Sequence, residues 1–261
     1  MIPSTGFLRW RSWGAAGRRA LLLHGSTSSS ATWWKVGPAL AEAGWRVKAP
    51  DLPAHGASPR VGRPLTPDVA ARWLVRELAD RPIDLVVGHS FGAAVALSLL
   101  EGGPEIRSLV LVEPPGPRSV DWDAEAEAVL SSVGSARRDP TAADQWIREI
   151  QPHWSDRDCH QALHDLASSS AEEIAAGLRK GADWPGIEAN RLTIPTLVMA
   201  ALEDGSSIGV GTGLAHATVL RGPDRAAARQ IADAFVELDG GHCLHRDQPD
   251  AWLRTILDFT G

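Results

Sequence analysis

The sequence predicts an α/β fold, a mostly parallel central sheet with helices on both faces and one helical insertion. Three observations predict it. Short apolar runs alternate with segments of helical pattern up to residue 114 and again from residue 192, the rhythm of parallel strands joined by crossover helices. From Pro115 to about Arg191 the alternation stops, and "DAEAEAVLSSV", "DPTAADQWIREI" and "HQALHDLASSSAEEIAAGL" read as helices, a block too long for a loop. Finally, "VVGHSFGAA" (86–94) sets Gly88 and Gly92 two positions either side of Ser90, between an apolar run and an alanine-rich one. The expected division is a core of residues 1–114 and 192–261 with the insertion at 115–191.

Each element has its own signal. "FLRWRSWG" (7–14) reads as a weak edge strand or hairpin, and "RALLLHG" (19–25) as a buried strand ending in a loop. Thr32 to Ala43 reads as a helix closed by Gly44, and "WRVKAPD" (45–51) as the next strand. Thr66-Pro67 marks a helix start, Thr as N-cap and Pro at the first helical position, with the helix running to about Ala79. Ile83 to Val87 is the central strand, Phe91 to Glu101 a helix and "SLVLVEP" (108–114) a further strand. After the insertion come a strand at 194–202, a helix from Asp224 to Asp233, a strand at 234–238 and an amphipathic helix from Pro249 to Phe259.

Composition bounds the function. With 261 residues, 44% of them hydrophobic and 22% charged, the chain can bury a large core without staples. Lys and Arg number 26 against 32 Asp and Glu, a net charge of −6, so nucleic acid and anionic membranes are not expected partners. Cys159 and Cys243 are the only cysteines and form no CxxC, which fits a reducing compartment rather than a disulfide framework. No apolar run is long enough to span a bilayer, and no signal peptide is read at the start, so a cytoplasmic location is expected. Tyr is absent while Trp occurs 11 times, so aromatic contact surface comes mostly from indole.

A strand-to-helix turn as tight as 88–92 forces strain onto its middle residue, and small flanking residues let the two elements pass. It presents the Ser90 hydroxyl at the carboxyl end of the sheet, where open α/β folds place their sites. It also sets that hydroxyl at a helix N-terminus, which favours developing negative charge. This is the G-x-S-x-G nucleophile elbow. A serine needs a base, and "LDGGHCLHRDQP" supplies His242 on a loop after the last strand, with His245 assigned a structural role. A carboxylate should orient the imidazole. Asp204, in the loop after "LVMAAL", is the expected acid, with Glu203 and Glu113 as alternatives. The amides of Ser26, after "LLLHG", and of Phe91, after the nucleophile, are the expected oxyanion donors. Trp33, Trp34, Trp122, Trp146, Trp154 and Trp184 are the candidates for a pocket lining. His160 and His164 stand at i, i+4 near His153 and Cys159, but no third ligand is in register, and no metal is expected.

With these residues in hand, the chain resembles the α/β-hydrolase superfamily. The carrying motifs are "HGSTSSSATW" (24–33), "APDLPAHGASPR" (49–60), "GHSFGA" (88–93), "PTLVMAALED" (195–204) and "GGHCLHRDQP" (240–249). The resemblance implies a cap domain at about 115–191 over the active site, and an architectural role for "DLPAHG", His55 included. Ala201 replaces the Gly of the usual Gly-x-x-Asp acid motif, and Ala54 replaces a Gly of the "DLPGHG" loop. Ser rather than Asp at position 90 argues against the haloalkane dehalogenase and epoxide hydrolase branches. The reading is a cofactor-independent serine hydrolase of a small carboxylic ester or lactone, acting as a monomer or small homo-oligomer on a small-molecule substrate. Its rivals are a diketone carbon–carbon hydrolase, a thioesterase or acyltransferase, and a ligand-binding protein with little turnover.

Overall fold

The computed structural model describes residues 6–78, 81–187, 192–202 and 218–261. Seven strands form one sheet: β1 (Trp10–Trp13), β2 (Arg18–Leu23), β3 (Trp45–Pro50), β4 (Leu85–His89), β5 (Leu109–Val112), β6 (Thr196–Ala201) and β7 (Ala234–Leu238). Their order is β1-β3-β2-β4-β5-β6-β7. Only the edge strand β1 runs antiparallel, pairing Trp10 with Pro50 and Trp13 with Val47. The remaining pairs are parallel, as Leu23 opposite Gly88 and His89 opposite Val112 show. All six parallel strands therefore end at one edge, and the loops after them meet there.

The central strands are apolar throughout because both faces of the sheet are covered. Val86, Leu109, Leu111 and Val198 face one core, while Leu85, Val87, Val110 and Met199 face the other. Among the described residues ten α-helices cover these faces: α1 (Val36–Glu42), α2 (Pro67–Val75), α3 (Phe91–Leu99), α4 (Trp122–Arg138), α5 (Pro140–Ile150), α6 (Asp156–Ser168), α7 (Ala171–Leu178), α8 (Gly222–Ile231), α9 (Leu244–Asp247) and α10 (Pro249–Thr260). Among the described residues between β5 and β6 the elements are helical, α4 to α7 and a 3-10 turn at Gly181–Asp183, the break in alternation that the sequence shows.

Most boundaries shift by about two residues, the central strand to Leu85–His89 among them, and two differences have a clear physical cause. The helix expected at Thr32–Ala43 is a 3-10 turn, Ser30–Trp33, followed by α1. Pro38 lacks an amide proton and sits in the first turn of α1, where none is needed, so a new helix starts there instead of one running through. The helix at Thr66-Pro67 begins as read but ends at Val75, and the Thr66 hydroxyl goes to the Asp68 carboxylate rather than to a backbone amide.

Candidate active site

Ser90 has φ 52° and ψ −120°, the strained conformation predicted for an elbow. The flanking glycines are sterically required. A Cβ at Gly88 would lie 2.4 Å from the Gly92 carbonyl oxygen, and one at Gly92 would lie 2.2 Å from the Leu23 carbonyl oxygen. The turn is pinned on both sides: Ser90 N donates to Val112 O at 2.9 Å, and Ser90 O accepts from Ala93 N at 2.8 Å.

Glu113, the residue after β5, is also held at positive φ, 49°, and is fully buried. Its carboxylate lies 3.3 Å from His242 Nδ1. Oε1 accepts from Ala201 N at 2.7 Å and from Thr218 Oγ1 at 2.8 Å, and Oε2 accepts from Val219 N at 2.8 Å. Every one of these partners is a donor, matching an acceptor-only carboxylate. The set spans β5, β6 and the segment leading into α8, so Glu113 is fixed from three directions. Asp204, the acid expected from the sequence, and Glu203 lie outside the described residues.

His242 is 2% exposed, and its backbone carbonyl accepts from His89 Nε2 at 2.9 Å. His89 is thereby the residue that anchors the loop carrying His242 to the end of β4. Burial first, and then the neighbouring His242, hold its pKa well below the usual histidine range, so it stays neutral. The sequence reading missed it, although its place directly before the nucleophile was the available signal. His24 does similar work on the opposite side. Its Nε2 accepts from Leu52 N at 2.8 Å, which leaves Nδ1 to donate to Gly25 O at 2.8 Å. Burial lowers its pKa too. A Cβ at Gly25 would stand 3.1 Å from Ser90 Cβ, so the loop bearing Ser26 runs close against the nucleophile.

Ser90, His242 and Ser26 line two adjoining spaces. One is an apolar slot walled by Phe91, Val129, Leu178, Trp122 and Trp184. The other is a narrow cavity walled by Thr32, Trp154, Asp165, His245 and Arg246. Of the six candidate tryptophans, Trp122 and Trp184 line the first space and Trp154 the second. The other three tryptophans do not, which corrects the sequence reading. Trp33 is fully buried in the opposite core, its ring 6.0 Å from that of Trp252. Trp34 turns outward, donating to Asp158 at 2.9 Å with Arg157 stacked on its ring. Trp146 lines a separate groove between α4 and α5. His55 and His245 are structural as read: His55 Nδ1 meets Pro53 O at 2.9 Å, and His245 Nε2 meets Thr32 Oγ1 at 2.7 Å. Among the described residues no helix is long and apolar enough to cross a membrane, and no group of three or more His, Cys, Asp or Glu could hold a metal ion.

A serine on a strained elbow and a buried histidine lining the same cavity are the groups of a serine hydrolase, and the likeness to known proteins makes it one of the carboxylic-ester type. Comparison with known proteins agrees: residues 20–255 match the model of the alpha/beta hydrolase family, and the chain belongs to that family. The magnesium-chelatase 30 kDa subunit of Rhodobacter capsulatus is 39% identical over 272 residues, 94% of this chain and 87% of that protein. A pimeloyl-[acyl-carrier protein] methyl ester esterase of Neisseria meningitidis is 32% identical over 256 residues, 87% of this chain and 80% of that protein. Among solved structures, a hydrolase from Pseudomonas aeruginosa PA01 superposes with a TM-score of 0.76 at 22% identity, over 99% of this chain and 96% of that one.

Proposed function

We propose that the protein hydrolyses a small carboxylic ester or lactone through an acyl-enzyme on Ser90. The observation that carries this reading is the arrangement at the strand ends: Ser90 on its elbow, His242 lining the same cavity, and Glu113 3.3 Å from His242 Nδ1. Ser90 Oγ attacks the carbonyl carbon as His242 Nε2 takes its proton. Glu113 accepts a hydrogen bond from His242 Nδ1–H, which fixes the tautomer and stabilises the imidazolium formed when Nε2 takes the Ser90 proton. The amides of Ser26 and Phe91 hold the oxyanion. Collapse expels the alcohol, protonated by His242, and water attacks the acyl-enzyme by the same route. The helices at 115–187 act as a cap, whose Trp122 and Trp184 offer flat apolar surface to the acyl group. The likeness to a methyl ester esterase supports a short alcohol portion.

The direct test is steady-state turnover of p-nitrophenyl butyrate. Turnover abolished by Ser90→Ala is the expected result, and no turnover by the parent protein overturns the reading. One observation favours a second reading. The relative that matches 94% of this chain is named as a subunit of a magnesium chelatase and not as an esterase, which keeps open a ligand-binding protein with the same fold and little turnover. Absence of turnover together with saturable ligand binding would select it.

A further inference from the structure

Trp184 walls two spaces at once. One is the apolar slot at Ser90, about 40 Å³ in volume. The other is a groove of about 390 Å³, lined by Thr66 and Pro67 at the start of α2, Ser98 and Glu101 at the end of α3, and Lys180 and Asp183 of the insertion. Among the described residues no other side chain lines both. The groove begins well beyond the reacting atoms. Ser98 lies eight residues along α3 from Ser90, about 12 Å at 1.5 Å per residue.

The partition is held by packing alone. The Trp184 ring lies 5.4 Å from that of Phe91 and 4.8 Å from that of Trp122. Its Nε1 is buried with no hydrogen-bond partner, although a buried indole N–H ordinarily has an acceptor. Position 184 is therefore filled for bulk rather than for a polar contact. Gly181 makes the arrangement possible, since a Cβ there would collide with the Trp122 ring that backs Trp184. Trp122 itself differs: its Nε1 donates to Pro117 O at 3.2 Å, and it does not line the groove. We infer that Trp184 sets the length of the acyl group. Its indole closes the slot, so short acyl groups are taken, and the groove behind it is an extension that longer apolar chains reach only when the indole is removed. This inference rests on the esterase reading and on the acyl group lying in the slot.

The test measures kcat/KM for p-nitrophenyl acetate, butyrate and decanoate. The parent protein should favour butyrate over decanoate. Trp184→Ala should raise the decanoate-to-butyrate ratio by about tenfold or more, while the acetate rate changes far less. Trp122→Ala widens the slot without joining it to the groove, so it should not raise that ratio. Should Trp184→Ala not fold, Trp184→Leu keeps an apolar side chain, shortens it and should move the ratio the same way. A parent that already favours decanoate, an unchanged ratio in the folded Trp184 variant, or an equal rise in Trp122→Ala overturns the inference. So does acetate turnover that rises as much as decanoate turnover, because Trp184 would then limit entry and not length. Each of these outcomes leaves the esterase reading intact. Hydrolysis of none of the three esters by the parent overturns the esterase reading, and this inference with it.

Discussion

Ser90 and Glu113 stand at the ends of adjacent strands with φ of 52° and 49°, whereas α4 to α7 contain no non-glycine residue at positive φ. The insertion is closed by conventional means. Asp121, Asp139 and Ser155 cap three of its helices through their side chains, and Ser155 completes a capping box with Asp158. The two regions share a cavity but are specified differently. At the strand ends the backbone itself places Ser90 and Glu113 and bears the strain. In the insertion the backbone is relaxed, and side chains such as Trp122, Trp184 and Asp165 give the pocket its shape. Chemistry should therefore be brittle to change at the strand ends, and selectivity adjustable in the insertion.

The largest effect expected on that contrast comes from Glu113. Glu113→Gln keeps the shape and removes the charge that stabilises the imidazolium, so kcat for p-nitrophenyl butyrate should fall by about 10⁴. Asp204→Asn should fall far less. Near-parent turnover in Glu113→Gln, with collapse in Asp204→Asn, would move the acid to the loop after β6.

Gly92→Ala comes next. Its Cβ would meet the Leu23 carbonyl oxygen at 2.2 Å, backbone that cannot swing aside, so β2 and α3 must separate. A stability loss of about 3 kcal/mol or more is expected by urea denaturation, together with loss of turnover. Parent-like stability would show that the elbow is not tightly held.

Acid should separate the regions further. His24, His55, His89 and His245 are buried at the strand ends, and burial is the first cause of the lowered pKa of each. They remain neutral in the folded protein, while the unfolded chain protonates them below about pH 6.5. The unfolded state then binds more protons, so stability is full above that pH and falls as pH drops below it, by up to about 1.4 kcal/mol per pH unit for each histidine. His164 in the insertion has the opposite sign. Its exposed ring is raised by the Asp165 carboxylate, so its small contribution is present in acid and lost as pH rises. Urea midpoints at pH 7.5 and 5.5 should therefore drop together with pH, and a flat profile would contradict the neutral histidine set.

The sequence revealed the strand ends better than the insertion, for a physical reason. The elbow is written in residues 88–92, because its steric demand is local and only glycine meets it. The strands and the loops bearing Ser26 and His242 follow from alternation along the chain, whereas the order of the strands in the sheet does not. The acid proposed for His242 was not separable in this way. Glu113 and Asp204 both follow apolar strands, and what distinguishes Glu113 is donors at Ala201, Thr218 and Val219, 88 to 106 positions away. The pocket tryptophans were harder still. Trp33 and Trp34 are neighbours, yet one enters the far core and the other reaches Asp158. Pattern alone does not tell a wall of the pocket from a wall of the core.

The smallest effect belongs to the insertion. Trp122→Ala and Trp184→Ala, each removing indole from the apolar slot, should change the rate ratio of butyrate to acetate esters by about tenfold, with acetate itself little altered. Trp146→Ala, in its separate groove, should leave that ratio alone. If all three variants keep the parent's ratio, the core loops shape the pocket and the insertion does not.

The catalytic account is tested most directly by fluorophosphonate labelling with peptide mass mapping. One label per chain is predicted, on the peptide containing Ser90, absent in Ser90→Ala, slowed by orders of magnitude in Glu113→Gln and near the parent rate in Asp204→Asn. Labelling of another serine, or full-rate labelling of Ser90 in Glu113→Gln, would contradict it.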